Sequence, residues 1–297
     1  MLTVAIVGAV SYDASRRTAA LSPVPPPPPP KPPATSVVAD TVSRIDTERM
    51  QAHVAKLAGE IGARRQGTKA EQAAAAYVRQ QLASYGYAVR TESFTLPNRL
   101  ASTNVIAKLP GATEPVLLIG AHLDSVASSP GANDNASGVA VLLETARVLR
   151  ASRPTCTLLF VGFGAEEHQR RGDRYHHFGS RALAKDAGLR KRLTGMVSLD
   201  MVGFGTALRV DNQGWAPDHR RDEIGAIARN LGLPVRVGRS KPQSDHEAFE
   251  RQGVPAAYLH WERDPAYHRP ADTPAHLQPE RLHRTAELMV RFVLNAR

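Results

Sequence analysis

Val116-Leu117-Leu118-Ile119-Gly120 runs straight into Ala121-His122-Leu123-Asp124, an apolar run of strand length with an imidazole and a carboxylate at its end. Two other runs have the same form. Leu158-Leu159-Phe160-Val161-Gly162-Phe163 leads into Gly164-Ala165-Glu166-Glu167, and Met196-Val197-Ser198-Leu199 leads into Asp200. Continuous apolar runs of this length suit strands buried on both faces of a sheet. Residues 104–109 and 256–259 read the same way.

Helix signals lie between these runs. Thr68-Lys69-Ala70-Glu71 matches a capping box that opens a helix through Leu82, with Gly86 to close it. Ser244-Asp245-His246-Glu247 reads as a second capping box, for a short helix ending near Gly253. Residues 139–149 form an apolar helix, and Leu282, Ala286, Met289 and Val293 recur at helical spacing near the C-terminus. Strands alternating with helices predict an α/β fold, a single domain with a mostly parallel central sheet sandwiched by helices.

The composition agrees. Over 297 residues, 42% hydrophobic and 22% charged is an ordinary globular balance, which excludes wholesale disorder. No apolar run reaches the roughly 18 residues of a membrane span. The net charge of +10 raises nucleic acid as a partner. The pairs Arg64-Arg65, Arg170-Arg171 and Arg220-Arg221 lie far apart without interleaved aromatics, so no nucleic acid is expected and the basic residues are read as scattered over solvent faces. The single cysteine, Cys156, excludes an intramolecular disulfide or a cysteine-built zinc site, and its place beside an apolar run reads as core. No Gly-x-Ser-x-Gly elbow occurs, which counts against a serine hydrolase.

The N-terminal part differs. Met1 to Val10 is apolar over about the length of a signal-peptide core, and Ser22 to Ala34 holds nine prolines. The expected organisation is an export-signal remnant over 1–21, a proline-rich disordered linker over 22–39 and a catalytic domain over 40–297, in an exported protein. The alternative is a disordered tail on a cytoplasmic one.

In an open α/β sheet, ligands bind outside the carboxyl ends of the strands. The three runs quoted first therefore deliver an imidazole and four carboxylates to one edge. Carboxylates crowded there repel one another, and a multivalent cation resolves the conflict. His122 and Asp124, two residues apart, point the same way on an extended chain, a spacing that lets a carboxylate orient a metal-bound imidazole. Gly131-Ala132-Asn133-Asp134-Asn135-Ala136-Ser137-Gly138 adds another acid, although an Asp before a helix also serves as a plain N-cap. Adjacent Glu166 and Glu167 at a strand mouth suit a division into one ligand and one general base; the bland reading is two solvated glutamates. Tyr267-His268-Arg269-Pro270-Ala271-Asp272-Thr273 offers a second imidazole beside a phenol, and a lone histidine there also fits a structural role.

In combination these pieces resemble the co-catalytic di-zinc aminopeptidase family, that of bacterial leucyl aminopeptidase and aminopeptidase Y. AHLDS, GANDNASGVAVLLETARVL, FGAEE, SLDMVG, SDHEAFERQGVPA and YHRPADT occur in the family's order, with GARRQGTKAEQAAAAYVRQQLASYGY and NVIAKLPG upstream. The resemblance implies a zinc-peptidase type of α/β fold and a metal-dependent exopeptidase acting on a peptide substrate, with two Zn2+ per chain. It implies that Asp134 bridges the ions, that His122 and Asp200 complete one site and Glu167 and His268 the other. It also implies that Glu166 is general base toward a metal-activated water, that Asp124 orients His122, and that Tyr267 stabilises the oxyanion. The alternatives are a carboxypeptidase or glutaminyl-cyclase-like enzyme on the same scaffold, or a non-catalytic receptor-like relative. One departure stands out. The stretch from His168 to Phe178 delays Gly179-Ser180-Arg181 and reads as a basic, histidine-rich surface insertion, in which His176 and His177 could take up an adventitious metal.

Overall fold

A computed structural model of the chain describes residues 35–167, 176–241 and 243–296. The helices are α1 Thr35–Ser43, α2 Thr47–Val54, α3 Lys69–Ser84, α4 Gly138–Leu149, α5 Phe178–Ala184, α6 Ala187–Arg190, α7 His219–Asn230, α8 His246–Glu250 and α9 Pro279–Asn295. The strands are β1 Val89–Thr95, β2 Ala101–Leu109, β3 Thr113–His122, β4 Cys156–Phe163, β5 Leu193–Leu199, β6 Leu208–Asn212, β7 Val235–Arg239 and β8 Ala256–Trp261.

The described strands form one sheet in the order β1-β2-β4-β3-β5-β8-β6-β7. Its four central strands β4, β3, β5 and β8 are mutually parallel. β2 joins β4 antiparallel on one side, and β6 joins β8 antiparallel on the other. The sheet is thus mixed at its flanks around a parallel centre.

Burial explains the apolar runs. Along β3, Leu117 and Ile119 enter the larger core under α2, α3, α4 and α9, while Val116 and Leu118 enter a smaller core with Leu183 of α5, Leu189 of α6 and Phe249 of α8. All eight residues of β4 are buried. A strand covered on both faces leaves no solvent-facing side for a regular polar alternation to mark. Leu282, Ala286, Met289 and Val293 of α9 are all buried, as their spacing predicts. Cys156 is buried in the larger core.

Four expectations change. Residues 35–39 belong to α1, with Val38 buried against the core, so this part of the expected 22–39 linker is folded; the remainder and residues 1–21 lie outside the described residues. Arg64 and Arg220 are buried rather than spread over solvent faces. Ser244-Asp245-His246-Glu247 opens α8 without a side-chain cap: the Ser244 hydroxyl pairs with that of Ser198, and the Glu247 carboxylate points to His177, Arg181 and Arg251. Finally, His176 and His177 are buried, not part of a surface insertion, whereas residues 168–175 lie outside the described residues. No helix among the described residues is long and apolar enough to cross a membrane.

Candidate metal centre

The four parallel strands end side by side, and each end supplies chemistry. His122 is the last residue of β3; Glu166 and Glu167 follow β4; Asp200 follows β5; and His268 lies in the loop after β8. Asp134 comes from the turn between β3 and α4. Gly131 permits that turn: its φ of 67° is left-handed, and a Cβ there would stand 2.4 Å from the Asp134 carbonyl oxygen.

His122 Nε2 lies 3.1 Å from Asp134 Oδ1 and 3.3 Å from Asp200 Oδ1. His268 Nε2 lies 3.1 Å from Asp134 Oδ2 and 3.2 Å from Glu167 Oε2. Asp134 therefore turns one oxygen to each imidazole. These donors form two groups, His122-Asp134-Asp200 and Asp134-Glu167-His268, each compact enough to surround an ion. Ligands about 2.05 Å from a tetrahedral zinc stand about 3.3 Å apart, so the observed separations are those of a coordination edge.

The electrostatics show what the cluster lacks. Burial drives the Glu167 carboxyl well above its ordinary range, and Asp134 adds to this. Burial raises Asp200 as well. Burial works against a charged imidazole at His268, yet Asp134 and Glu167 outweigh it and push the group up to about 10. At His122 burial is likewise overcome, by Asp200, Glu166, Asp124 and Asp134. Both imidazoles and two carboxyls are thus shifted toward their protonated forms, the response of an acidic pocket short of positive charge. Glu167 Oε1 is also buried with no hydrogen-bond partner. Five nitrogen and oxygen donors, a shared carboxylate and an unpartnered oxygen fit a pair of divalent ions such as zinc.

A lattice of buried groups holds these donors. The Asp124 carboxylate accepts the backbone N–H of Glu166 at 2.9 Å and of Glu167 at 3.0 Å. Its contact with His122 is looser: Nδ1 is 3.4 Å from Asp124 Oδ1 and 3.1 Å from its carbonyl oxygen. Asp272 accepts the N–H groups of Asn133 and Asp134 at 2.6 and 3.1 Å, which fixes the backbone at Asp134. Asn135 donates to the Leu199 carbonyl and accepts from Met201 N–H, tying that turn to the Asp200 strand end. Glu71 accepts from Ser102, from Ala165 N–H at 2.9 Å and from Gly67 N–H at 2.6 Å, so it anchors the residue before Glu166. The Arg64 guanidinium donates to the carbonyls of Leu57, Gly62, Leu123, Pro130 and Gly131. Ala165, Met201 and His268 keep left-handed φ values of 55°, 58° and 57°. Such strain costs on the order of 1 kcal/mol per residue and persists where surrounding contacts over-determine the backbone.

The structure thus gathers His122, Asp124, Asp134, Glu166, Glu167, Asp200 and His268. Tyr267 sits at the rim, half exposed, its ring stacked on His268 at 3.8 Å. Beside these residues opens a cleft of about 520 Å3, lined further by Met201, Tyr258, His260 and Arg263. That volume suits the end of a peptide rather than a folded chain. Arg64, Glu71 and Asp272 escaped the sequence reading as site residues. Asp272 lies in the stretch quoted for His268, and Glu71 was visible only as half of a capping box.

A family model described as peptidase family M28 matches residues 104–293. Aminopeptidase YwaD of Bacillus subtilis (strain 168) is 32% identical over 193 residues, 61% of this chain and 41% of that protein. The chain spans about half the length of the curated relatives it matches. Among solved structures, an aminopeptidase from Aneurinibacillus sp. strain AM-1 superposes with a TM-score of 0.79 at 23% identity, over 87% of this chain and 96% of that one. A Bacteroides thetaiotaomicron glutaminyl cyclase superposes with a TM-score of 0.75 at 20% identity, over 86% and 99% of the two chains. At such identities these two structures share the fold.

Proposed function

The chain belongs to peptidase family M28, and from that premise we propose that it is a zinc-dependent exopeptidase, an aminopeptidase that removes the N-terminal residue from peptides at a two-ion centre. The observation that carries this reading is the Asp134 carboxylate, with one oxygen toward His122 and the other toward His268. His122 and Asp200 would hold one ion, Glu167 and His268 the other, and Asp134 both. When bound, zinc supplies Lewis acidity, making a nearby water easier to ionise and the scissile carbonyl more electrophilic.

The remaining work falls to the chain. Glu166 lines the cleft beside the ligands and serves as general base. It accepts a proton from the attacking water, and as the carbon–nitrogen bond breaks it passes that proton to the departing amine. Asp124 acts through position, since its hold on two consecutive N–H groups fixes the direction of both glutamates. Tyr267 is placed at the rim to donate its phenolic proton in a hydrogen bond to the carbonyl oxygen as charge builds there.

A panel of aminoacyl anilides, their N-acetylated counterparts and an N-terminal glutaminyl peptide tests the assignment. Hydrolysis is expected only from free N-termini, lost on chelation and restored by zinc. Glu166→Gln is expected to keep its metal and lose at least about 100-fold in turnover. Activity indifferent to chelator, or unchanged in Glu166→Gln, would refute the mechanism. Cyclisation of the glutaminyl peptide without hydrolysis, or cleavage from the carboxyl end, would replace the reaction with a different one.

A further inference from the structure

His177 is buried where the sequence suggested surface, and each ring nitrogen meets a carboxylate. Nε2 lies 2.8 Å from Glu166 Oε1, and Nδ1 lies 2.8 Å from Glu247 Oε2. Behind it, Glu247 Oε1 accepts from Arg251 Nε at 2.5 Å and from Arg181 Nη2 at 3.3 Å. The backbone repeats the attachment: His177, Phe178 and Gly179 donate their N–H groups to the carbonyls of Glu166, Ala165 and Gly164 at 2.8, 2.9 and 3.1 Å. His177 holds a left-handed φ of 56° to do so. That strain is consistent with a side chain fixed by more than local preference.

We propose that His177 is a positioning residue for Glu166: anchored by Glu247, its ring holds Oε1 of Glu166 so that Oε2 is the oxygen presented to the cleft. This rests on the aminopeptidase reading for its kinetic consequence, but the chain of contacts, a hydrogen bond between Nδ1 and Glu247 and a 2.8 Å ion-pair contact from Nε2 to Glu166, does not. A neutral imidazole would set a lone pair against a carboxylate oxygen 2.8 Å away at one end, so the ring carries protons on both nitrogens. Burial opposes that charge, yet Glu166 and Glu247 outweigh it and raise His177 to about 9. The contact of His177 with the Glu166 carboxylate is made at Oε1, so it is this oxygen that the ring fixes. A tether of this kind matters because misplacement of a reacting group by about 1 Å can cost on the order of 100-fold in rate.

His176, His177 and Glu247 also stand close enough to share an ion. The two guanidiniums on Glu247 and the carboxylate on the far side of the ring favour a proton there instead.

The test compares His177→Phe with His177→Gln. Gln keeps an amide donor at about the reach of Nε2, whereas Phe keeps ring volume and no donor. His177→Phe is expected to lower kcat by about 10- to 100-fold, with KM within about threefold and the zinc content unchanged, because the ring does not line the cleft. His177→Gln is expected to recover most of that loss. An unchanged kcat in His177→Phe, or a Gln variant no better than Phe, would overturn the proposal. Nitrogen-15 histidine spectra of the protein at pH 7 provide a readout that needs no turnover. Both ring nitrogens of His177 should be protonated, and Glu166→Gln should shift the Nε2–H signal. A singly protonated ring, an unmoved signal, or an extra zinc lost on mutation would each refute it. If the wild type hydrolyses nothing, the aminopeptidase reading falls, while these spectra still decide the role of His177.

Discussion

Loading zinc into the metal-free protein should expel protons, in a number fixed by the geometry of the centre. Each imidazole nitrogen that would become a ligand lies 3.1 to 3.3 Å from oxygens of two carboxylates. A proton between such neighbours is strongly held, which is why His268 is pushed up to about 10 and His122 well above its ordinary value. Both rings are therefore charged at pH 7, and both must be neutral to donate a lone pair to a metal. That alone displaces about two protons per chain, and Glu167, raised by burial and by Asp134, adds a further contribution. Two unperturbed histidines of pKa about 6.5 would together release only about half a proton at pH 7. The sign is set as well: the raised groups are protonated below their folded pKa values, so apparent zinc affinity climbs as pH rises. Across pH 7 to 9, below the value of about 10 at His268, the increase should be at least about tenfold per unit. Calorimetric titration with zinc in buffers of different ionisation enthalpy gives the count directly. A release of one proton or fewer, with affinity flat across that range, would show that the imidazoles do not sit between carboxylates as described.

Two further outcomes follow from groups outside the ligand set. Arg64→Lys leaves three donors for the five buried or half-buried carbonyls that the guanidinium now serves, so at least two of them lose a partner. Urea unfolding of the metal-free variant should show a loss of about 3 kcal/mol; a change below about 1 kcal/mol would mean that water or neighbouring groups replace the guanidinium. Cys156→Ala removes a buried thiol from the larger core. It should cost about 1 kcal/mol in the same assay and leave hydrolysis within about twofold, while a tenfold loss of activity would bring the thiol into the chemistry.

The centre of the sheet was legible because β3, β4 and β5 each carry a mostly apolar, buried run, residues 116–121, 158–163 and 196–199, as a strand covered on both faces does. The flanks were not. β1 reads Val-Arg-Thr-Glu-Ser-Phe-Thr and lies at the sheet edge with much of its surface in solvent, so charge takes the place of the apolar signal. β6 and β7 are five residues each and carry arginines. At the site, chemistry announces itself when acids stand at strand ends, as Glu166, Glu167 and Asp200 do. Support does not. Arg64 looks like any solvated arginine until the loops around Leu123, Pro130 and Gly131 fold their carbonyls over it. Glu71 does mark a helix start, with Thr68 as its cap, but its carboxylate reaches across to Ser102 and Ala165. His177 is invisible for the same reason: both of its carboxylate partners, Glu166 and Glu247, are brought to it only by the fold.

Anomalous scattering at the zinc edge from crystals of the zinc-loaded protein examines the bridging role of Asp134 most directly. Two peaks roughly 3.5–4 Å apart are expected, one beside His122 and Asp200, the other beside Glu167 and His268, with the Asp134 carboxylate between them. One peak alone, or two that do not share Asp134, would contradict the two-ion account.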